Sequence, residues 1–415
     1  MLHEIAAYIS ETTFLGVFIL EVFSFAVVLY LAYLMTRHKG NTVVDFGVIA
    51  LIGACVLVSG AFSRGDSAEE FCLPFLMGAL YLVFQHYGKK EGPRAPWALF
   101  ICGLFAGVVA TIKFTILGLF IGLCAAEGVL ALRAGGMKRA LRSAGVFLSG
   151  MLLPILAWGV YFAVHDALDD FYTVYIYNNV FVYSDEGRTI LDVIRDIYTT
   201  VRNNLFWVIL AGVGMLALLL DRREKLQFRL AVLSMALCAF VTVYLLGRTW
   251  HYSPLVLSVF SFMICRSLPV FIDCNWKKTR IAAGVSCYVL ALAAGVWLTP
   301  NTFLRGMPQE DLAQFRLAKY VHEGASLLQY SSLDDGLYLV ADRLPPFKYF
   351  VRLNVGLEEM YEELDRYVRE GIPDYVLTSW NPLPEEFDHY QLIATDAGYD
   401  PRNRVDKLFY LYRRR

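Results

Sequence analysis

The stretch GLFAGVVATIKFTILGLFIG, residues 103–122, decides the class of fold. Its single charged residue is Lys113, which separates two apolar segments with no loop between them. A helix that spans a membrane needs about 20 mostly apolar residues, and a charge inside the hydrocarbon is costly. The stretch therefore predicts two short spans that meet at the membrane surface, with Lys113 in the connection at the outer rim.

The composition of the whole chain agrees with a membrane protein. Of its 415 residues, 57% are hydrophobic and 18% are charged, with a mean hydropathy of +0.49. A soluble domain is about half apolar and about a quarter charged. The chain is predicted to be an α-helical polytopic membrane protein with about ten transmembrane segments, some of them short enough to be tilted or broken. The segments are 13–35, 43–62, 71–86, 97–111, 115–132, 144–164, 204–220, 229–246, 253–271 and 280–298.

The loops between these segments differ in basic charge, and this difference predicts the orientation. Alternate loops and segment ends carry 17 lysines and arginines in one set and 6 in the other. Short cytoplasmic loops of membrane proteins are enriched in these residues. We therefore expect a multi-pass protein of the cytoplasmic membrane. The regions predicted to lie outside the cytoplasm are 63–70, 165–203, 247–252 and 300–415.

The last 116 residues differ in kind from the rest of the chain. Segments 308–323 and 357–370 have the apolar spacing of helices. Four short runs are rich in residues that favour strands, namely LYLVAD, DYVLTS, YQLIAT and KLFYLY. The pattern predicts a membrane domain over 1–299 and a small extracytoplasmic α/β domain over 300–415.

Lys113 is the sharpest candidate for a binding residue. An ammonium at the membrane surface is well placed to meet a phosphate as a point charge. The alternative is a lysine that snorkels to the interface without a binding role. Around Lys113, two glycine pairs have GxxxG spacing, which lets backbones approach closely; they are Gly103 with Gly107 and Gly118 with Gly122.

Two charged clusters are predicted to lie on the same outer face. In SRGDSAEEFCLPF (63–75), Asp66, Glu69 and Glu70 could orient a sugar, bind a divalent ion or pair with Arg64. Carboxylates also favour the N-terminus of a helix, so a capping role is the alternative. In GRTWHYSPL (247–255), a phosphate or sugar contact competes with the ordinary role of aromatic residues at a membrane interface; its candidates are Arg248, His251 and Tyr252.

Several catalytic motifs do not occur in the chain. It has no GxxxxGK[ST], GxSxG or HExxH pattern and no CxxC pair. The sequence therefore gives no support for ATP-driven work or for hydrolysis by a serine or zinc centre. No cofactor is certain, although the outer carboxylates permit a divalent metal.

The order of several segments resembles a known family. SAEEFCLPFLMGALYLVF, GLFAGVVATIKFTILGLFIG and RTWHYSPLVL are similar to segments of bacterial integral-membrane glycosyltransferases of the GT-C superfamily, in the dolichyl-phosphate-mannose mannosyltransferase / aminoarabinose transferase-like group. The chain has Asp66-Ser67-Ala68 where a Gly-Asn-Thr is expected. The family's first span and first outer loop, which carries the catalytic carboxylate, have no counterpart in this chain, so we expect an N-terminally truncated form.

The resemblance implies transfer of a sugar from a polyprenyl-phosphate donor to an extracytoplasmic acceptor, which could be an envelope glycan, a lipid or a protein. It implies that Lys113 contacts the phosphate, with Arg248 and His251 as second choices. Glu69 and Glu70 would orient the sugar or shape the loop. The missing carboxylate would come from an upstream segment that is not in this chain, or Asp66 would take its place. Membrane lipid is an expected partner and nucleic acid is not. The alternatives are a flippase-like carrier or a scaffold that binds lipid-linked sugar without chemistry.

Overall fold

The structure, a computed structural model, divides into two compact units. The helical unit comprises 21–177 and 184–302, and the mixed unit comprises 1–20, 178–183 and 303–415. The division into a membrane domain over 1–299 and an α/β domain over 300–415 stays a prediction. The residues that the structure describes are 2–11, 13–36, 42–63, 65–88, 96–182, 189–245, 249–267, 277–302, 306–331, 336–353, 356–400 and 405–415.

Helices occupy most of the described residues up to 302. The α-helices are α1 Leu2–Ala7, α2 Leu15–Met35, α3 Thr42–Leu57, α4 Ala68–Val83, α5 Pro96–Ile112, α6 Gly118–Val164, α7 Leu168–Asp170, α8 Ile190–Asn203, α9 Leu205–Leu220, α10 Leu226–Leu245, α11 Ile264–Ser267 and α12 Lys277–Trp297. Tighter 3₁₀ turns occupy Gly60–Ser63, Phe114–Leu117 and Ser253–Met263, and wider π turns occupy Phe84–Gly88 and Phe171–Val182.

Where the structure describes them, the ten predicted apolar segments lie on helical structure, apart from turn residues at a few segment ends and at 58–59. Within the described ranges, four helices are long and apolar enough to cross a membrane, and α8 with α9 makes a fifth span if this pair, bent by 101°, counts as one. Four shorter apolar helices accompany them: Val43–Leu57, Pro96–Ile112, Ser253–Met263 and Ile281–Trp297. The chain is thus an α-helical polytopic membrane protein in which several segments are short, bent or broken.

Two predicted segments, 115–132 and 144–164, are joined in the 47-residue helix α6. The helix breaks at Gly135 and Gly136, and Gly136 has a φ of +64°, a left-handed conformation that side chains rarely adopt. The break gives α6 two arms, 118–134 and 137–164, each with its own neighbour.

The two GxxxG pairs make close backbone contacts, but with other helices and not with each other. A Cβ at Gly103 or Gly107 would overlap the backbone oxygen of Phe147 or Met151 in the second arm. Gly118 and Gly122 instead meet α10, where a Cβ would overlap Thr242, Ser234 and the neighbouring backbone. Small residues thus let α5, which precedes Lys113 in the chain, pack closely on the second arm of α6. They likewise let the first arm of α6, which follows Lys113, pack closely on α10.

The outward face of the second arm of α6 is apolar and exposed. Large side chains recur every four residues on one stripe, so they share one helix face; they are Leu148, Leu152, Leu156, Val160 and Val164. The exposed fraction along the stripe lies between 48% and 75%. A surface of this kind is stable against lipid and costly against water.

The mixed unit carries a four-stranded sheet in the order β1-β2-β4-β3. β1 and β2 are parallel, and the other neighbouring pairs are antiparallel. Helices α13 and α15 supply buried side chains to the two sides of the sheet. The strands and helices are α13 Ala313–Ala318, β1 Leu327–Gln329, α14 Leu337–Val340, α15 Glu358–Arg369, β2 Tyr375–Ser379, β3 Tyr390–Asp400 and β4 Val405–Arg414.

The structure confirms three of the four predicted strands and corrects the fourth. LYLVAD forms α14 instead of a strand. Its Tyr338 hydroxyl donates to the backbone oxygen of Leu327 at 2.6 Å and of Phe350 at 3.1 Å. These tertiary contacts hold the turn of helix and override the local strand preference. Segment 308–323 is also broken, into a 3₁₀ turn Gln309–Asp311 and the short helix α13.

Candidate functional site

Lys113 lies in a connection of one residue between α5 and the 3₁₀ turn Phe114–Leu117. Its backbone is extended, with φ −158° and ψ 103°, between two helical segments. The backbone N–H of Lys113 still donates to Val109 O at 2.8 Å, and its carbonyl accepts from the N–H of Ile116 at 3.1 Å. The side chain thus leaves a rigid corner of the backbone, because both flanking segments are hydrogen-bonded up to it.

The ammonium of Lys113 forms an ion pair with Glu69. The Nζ to Oε1 distance is 2.6 Å, and the lysine side chain is 26% exposed whereas that of Glu69 is 1% exposed. Glu69 lies in the first turn of α4, where the unpaired N–H groups of the helix favour negative charge. Residues 44 positions apart are therefore joined, and the predicted outer lysine and outer carboxylate are part of one cluster.

The second carboxylate oxygen of Glu69, Oε2, is buried and has no hydrogen-bond partner among the described residues. A buried carboxylate oxygen without a donor is costly, so it is a strong acceptor for any hydroxyl that reaches it. Lys113 has three N–H donors, of which Glu69 takes one. The pair thus offers a cation for an anionic group and an acceptor for a neighbouring hydroxyl.

Tyr252 closes a third side of the cluster. Lys113 Nζ lies 5.1 Å from the centre of its ring, within the range of a cation–π contact. The ring centroid of His251 is 4.8 Å from that of Tyr252, in an edge-on arrangement. The 3₁₀ helix Ser253–Met263 follows directly, with Pro254 in its first turn, and fixes the position of both rings. Arg248 and Arg64 lie outside the described residues.

Glu70, next to Glu69, turns toward a different set of partners. Its backbone N–H donates to Ser67 Oγ at 3.3 Å, while the Ser67 hydroxyl donates to Glu70 Oε1 at 3.1 Å. This reciprocal contact is a helix cap, the alternative role that the sequence left open for these carboxylates. Glu69 therefore shares a cluster with Lys113, and Glu70 closes the first turn of α4.

Asp66 lies in the loop before α4 and is exposed. Its φ is +54°, a left-handed conformation that aspartate tolerates better than most residues. Its backbone N–H donates to Glu21 Oε1 at 2.5 Å. The loop is thus held by α2, and Asp66 presents its side chain at the surface of the helical unit.

Glu21 is a polar residue of this region that the sequence predictions missed. It is the single charged residue within α2, and the neighbouring Ser24 donates to the backbone oxygen of Glu70 at 3.3 Å. A lone carboxylate in an apolar span is a candidate by the same rule that selected Lys113. The rule, applied to every span, would have found it.

The structure also bears on the metal that the sequence permitted. In the part of the chain that the structure describes, no group of three His, Cys, Asp or Glu side chains is arranged to hold a metal ion. Stable sites for hard cations need several oxygen ligands around one point. Asp66, Glu69 and Glu70 have separate roles in the described geometry, so nothing in it gathers them around an ion.

Comparison with known proteins identifies the fold. No family model and no curated protein matches the chain. Two solved structures of ArnT from Cupriavidus metallidurans do match it. The apo form has a TM-score of 0.59 at 10% identity, and the form bound to undecaprenyl phosphate has a TM-score of 0.60 at 11% identity. Each comparison covers 99% of this chain and 86% of the other. The chain therefore has the fold of ArnT.

Proposed function

We propose that the chain is a membrane glycosyltransferase that moves a sugar from a polyprenyl-phosphate donor to an extracytoplasmic acceptor. One observation carries the proposal. Lys113 is partly exposed, is held by the buried Glu69 at 2.6 Å and lies against Tyr252. The chain that carries this geometry shares its fold with ArnT, a protein whose structure has been solved with undecaprenyl phosphate bound. The resemblance found in the sequence supports the same activity.

In this mechanism Lys113 stabilises the departing phosphate. When the sugar–phosphate bond breaks, negative charge grows on the phosphate oxygens, and a fixed ammonium lowers the energy of that state. Glu69 keeps Lys113 in place because its carboxylate cannot move far inside the helical unit. The Oε2 atom of Glu69 accepts a hydrogen bond from a sugar hydroxyl, and the Tyr252 ring offers an apolar face to the sugar.

Activation of the acceptor requires a base near the anomeric carbon. A carboxylate that accepts the proton of the acceptor hydroxyl performs this step. Asp66 is our candidate, because it is exposed and its loop is fixed by Glu21. Arg248 and His251 are proposed to add contacts to the donor, and Glu70 to shape the loop.

We propose that the protein lies in the cytoplasmic membrane with its C-terminal domain, 300–415, outside. The excess of lysine and arginine in alternate loops supports this orientation. The acceptor is then an envelope glycan, a lipid or a protein on that side. Lipid has two proposed roles. Polyprenyl phosphate carries the donor sugar, and the membrane lipids surround the spans.

The test is transfer from a donor with a radiolabelled sugar on polyprenyl phosphate, in membranes that contain the purified protein. Lys113→Ala is expected to lower turnover by about a hundredfold or more, as loss of one group that stabilises the transition state does. The matched control is Lys348→Ala, which removes a lysine from an exposed pair with a similar N–O distance of 2.7 Å. Equal turnover of Lys113→Ala and wild type would contradict the assigned role of Lys113.

The same assay separates the transferase from a flippase-like carrier. A transferase releases free polyprenyl phosphate in step with sugar transfer. A carrier moves the labelled donor across the bilayer and leaves the sugar–phosphate bond intact. Translocation without bond cleavage, under conditions in which candidate acceptors are supplied, would overturn the enzymatic proposal.

A further inference from the structure

A second site lies at the other end of α5. The helix has 17 residues and so is about 25 Å long; Lys113 follows its last residue and a cavity of about 410 Å³ adjoins its first turn. The cavity and Lys113 therefore lie at opposite ends of α5, and the distribution of basic residues predicts that the end with the cavity faces the cytoplasm. The transfer reaction proposed above does not involve this face.

The break in α6 builds the cavity. Gly135 lines it, and the second arm of α6 turns away here to pack on α5. Pro96 and Leu99 of α5 form the opposite wall. Because the left-handed φ of Gly136 changes the direction of the chain, the first arm and the second arm leave a concave space between them.

The wall of the cavity is cationic. Lys138, Arg139 and Arg142 line it, and among the described residues of the lining the one carboxylate is that of Glu127. Glu127 is 3% exposed and accepts hydrogen bonds from the Tyr87 hydroxyl and, at 3.3 Å, from Ser143. Hydroxyl groups thus hold the buried carboxylate of Glu127, whereas the three basic side chains are exposed.

Apolar residues beside the cavity indicate where its ligand comes from. Met137 and Leu141 alternate with the basic residues and are 64% and 65% exposed. Trp97, in the first turn of α5, is 61% exposed, and tryptophan is enriched at the boundary between lipid and water. A ligand at this position contacts both cationic and apolar side chains. A lipid with an anionic headgroup has the matching anionic and apolar parts.

We propose that this cavity binds the phosphate of an anionic lipid headgroup on the face predicted to be cytoplasmic. The guanidinium groups of Arg139 and Arg142 suit the paired oxygens of a phosphodiester, and Lys138 adds a point charge. The acyl chains lie along Met137 and Leu141. The bound lipid connects α5 with the second arm of α6 at the point where the latter helix begins.

Native mass spectrometry of the whole protein released from nanodiscs tests the proposal. In phosphatidylglycerol discs the wild type is expected to retain a bound lipid that it does not retain in phosphatidylcholine discs. Arg139→Gln with Arg142→Gln is expected to weaken retention about thirtyfold, from the usual strength of basic contacts near an anionic surface. Arg195→Gln with Arg202→Gln removes the same charge from the exposed side of α8 and is expected to leave retention unchanged.

Two results would overturn the proposal. One is equal retention of the two lipids by wild-type protein, a measurement that needs no variant to fold. The other is displacement of the lipid by inorganic phosphate at low millimolar concentration, which would assign the cavity to a soluble anion. Lys113→Ala is expected to retain phosphatidylglycerol, which separates this cavity from the Lys113 cluster.

Discussion

Two lysine–glutamate pairs in this molecule have nearly the same length and different surroundings. Lys113 and Glu69, in the helical unit, are 2.6 Å apart with the glutamate 1% exposed. Lys348 and Glu359, in the mixed unit, are 2.7 Å apart, and their side chains are 66% and 63% exposed. Distance alone does not distinguish the pairs, but burial does.

The difference teaches what each pair contributes. An exposed pair is screened by water and contributes less than about 1 kcal/mol. A buried carboxylate has lost its water, so removal of its partner leaves an uncompensated charge in a medium that solvates it poorly. A buried pair is a candidate for function, because its desolvation is unfavourable and a solvated pair could join the same elements without that desolvation.

Lys113→Ala is expected to have the largest effect on stability. It leaves Glu69 buried without a cation, which lowers the free energy of unfolding by about 3–5 kcal/mol. Denaturant unfolding of the purified protein in mild detergent measures it. The double variant Lys113→Ala with Glu69→Gln is expected to recover much of the loss. A single variant as stable as wild type would show that the pair does not differ from an exposed one.

Glu69→Gln sharpens the comparison with a smaller effect. The amide keeps the shape and a hydrogen-bond acceptor for Lys113 but removes the charge, so we expect a loss of about 1–2 kcal/mol. The same unfolding measurement applies, with transfer activity as a second readout. If this variant were as unstable as Lys113→Ala, the buried charge of Glu69 would not be the cause of that instability.

A third network, in the mixed unit, depends on pH. The backbone N–H of Ser326 holds the pKa of Asp374 below its usual value, and the Ser326 hydroxyl and Arg414 act in the same direction. Since the folded pKa lies below the unfolded one, this stability is present above the ordinary aspartate pKa and is lost as pH falls through the folded value.

Hydrogen exchange of peptides that cover β2 measures this dependence. After correction for the intrinsic exchange rate, which itself falls on acidification, these peptides of the wild type are expected to lose protection through the aspartate range, by an amount that corresponds to less than about 1 kcal/mol because Asp374 and Arg414 are solvated. Asp374→Asn is expected to exchange faster at neutral pH and to lose the pH dependence. A variant that keeps the wild-type profile would assign the dependence to another group.

Lys348→Ala is expected to have the smallest effect. Both partners are solvated, so the change in the free energy of unfolding is less than about 0.5 kcal/mol. Exchange of peptides over α15, which carries Glu359, measures it locally. A loss of 2 kcal/mol or more would show that exposure does not determine what these pairs contribute.

The helical class could be predicted from the sequence, and Lys113 could be selected as a candidate, because a charge between apolar segments stands out without any structure. Glu69 was a candidate, but its pairing with Lys113 depends on how α4 is rotated about its axis. The sequence likewise did not separate the role of Glu69 from that of Glu70. The two residues have different partners because a helix directs adjacent side chains to different sides. LYLVAD was misassigned because tertiary contacts of Tyr338 outweigh strand preference there.

Binding of polyprenyl phosphate tests the central claim most directly. Purified wild type, Lys113→Ala and Lys348→Ala are titrated with a short-chain polyprenyl phosphate in detergent, and affinity is read from native mass spectra. We expect Lys113→Ala to bind about ten- to a hundredfold more weakly, the usual effect of one charged hydrogen bond, and Lys348→Ala to bind like wild type. Equal affinity of all three proteins would contradict the assignment of Lys113 as the phosphate contact.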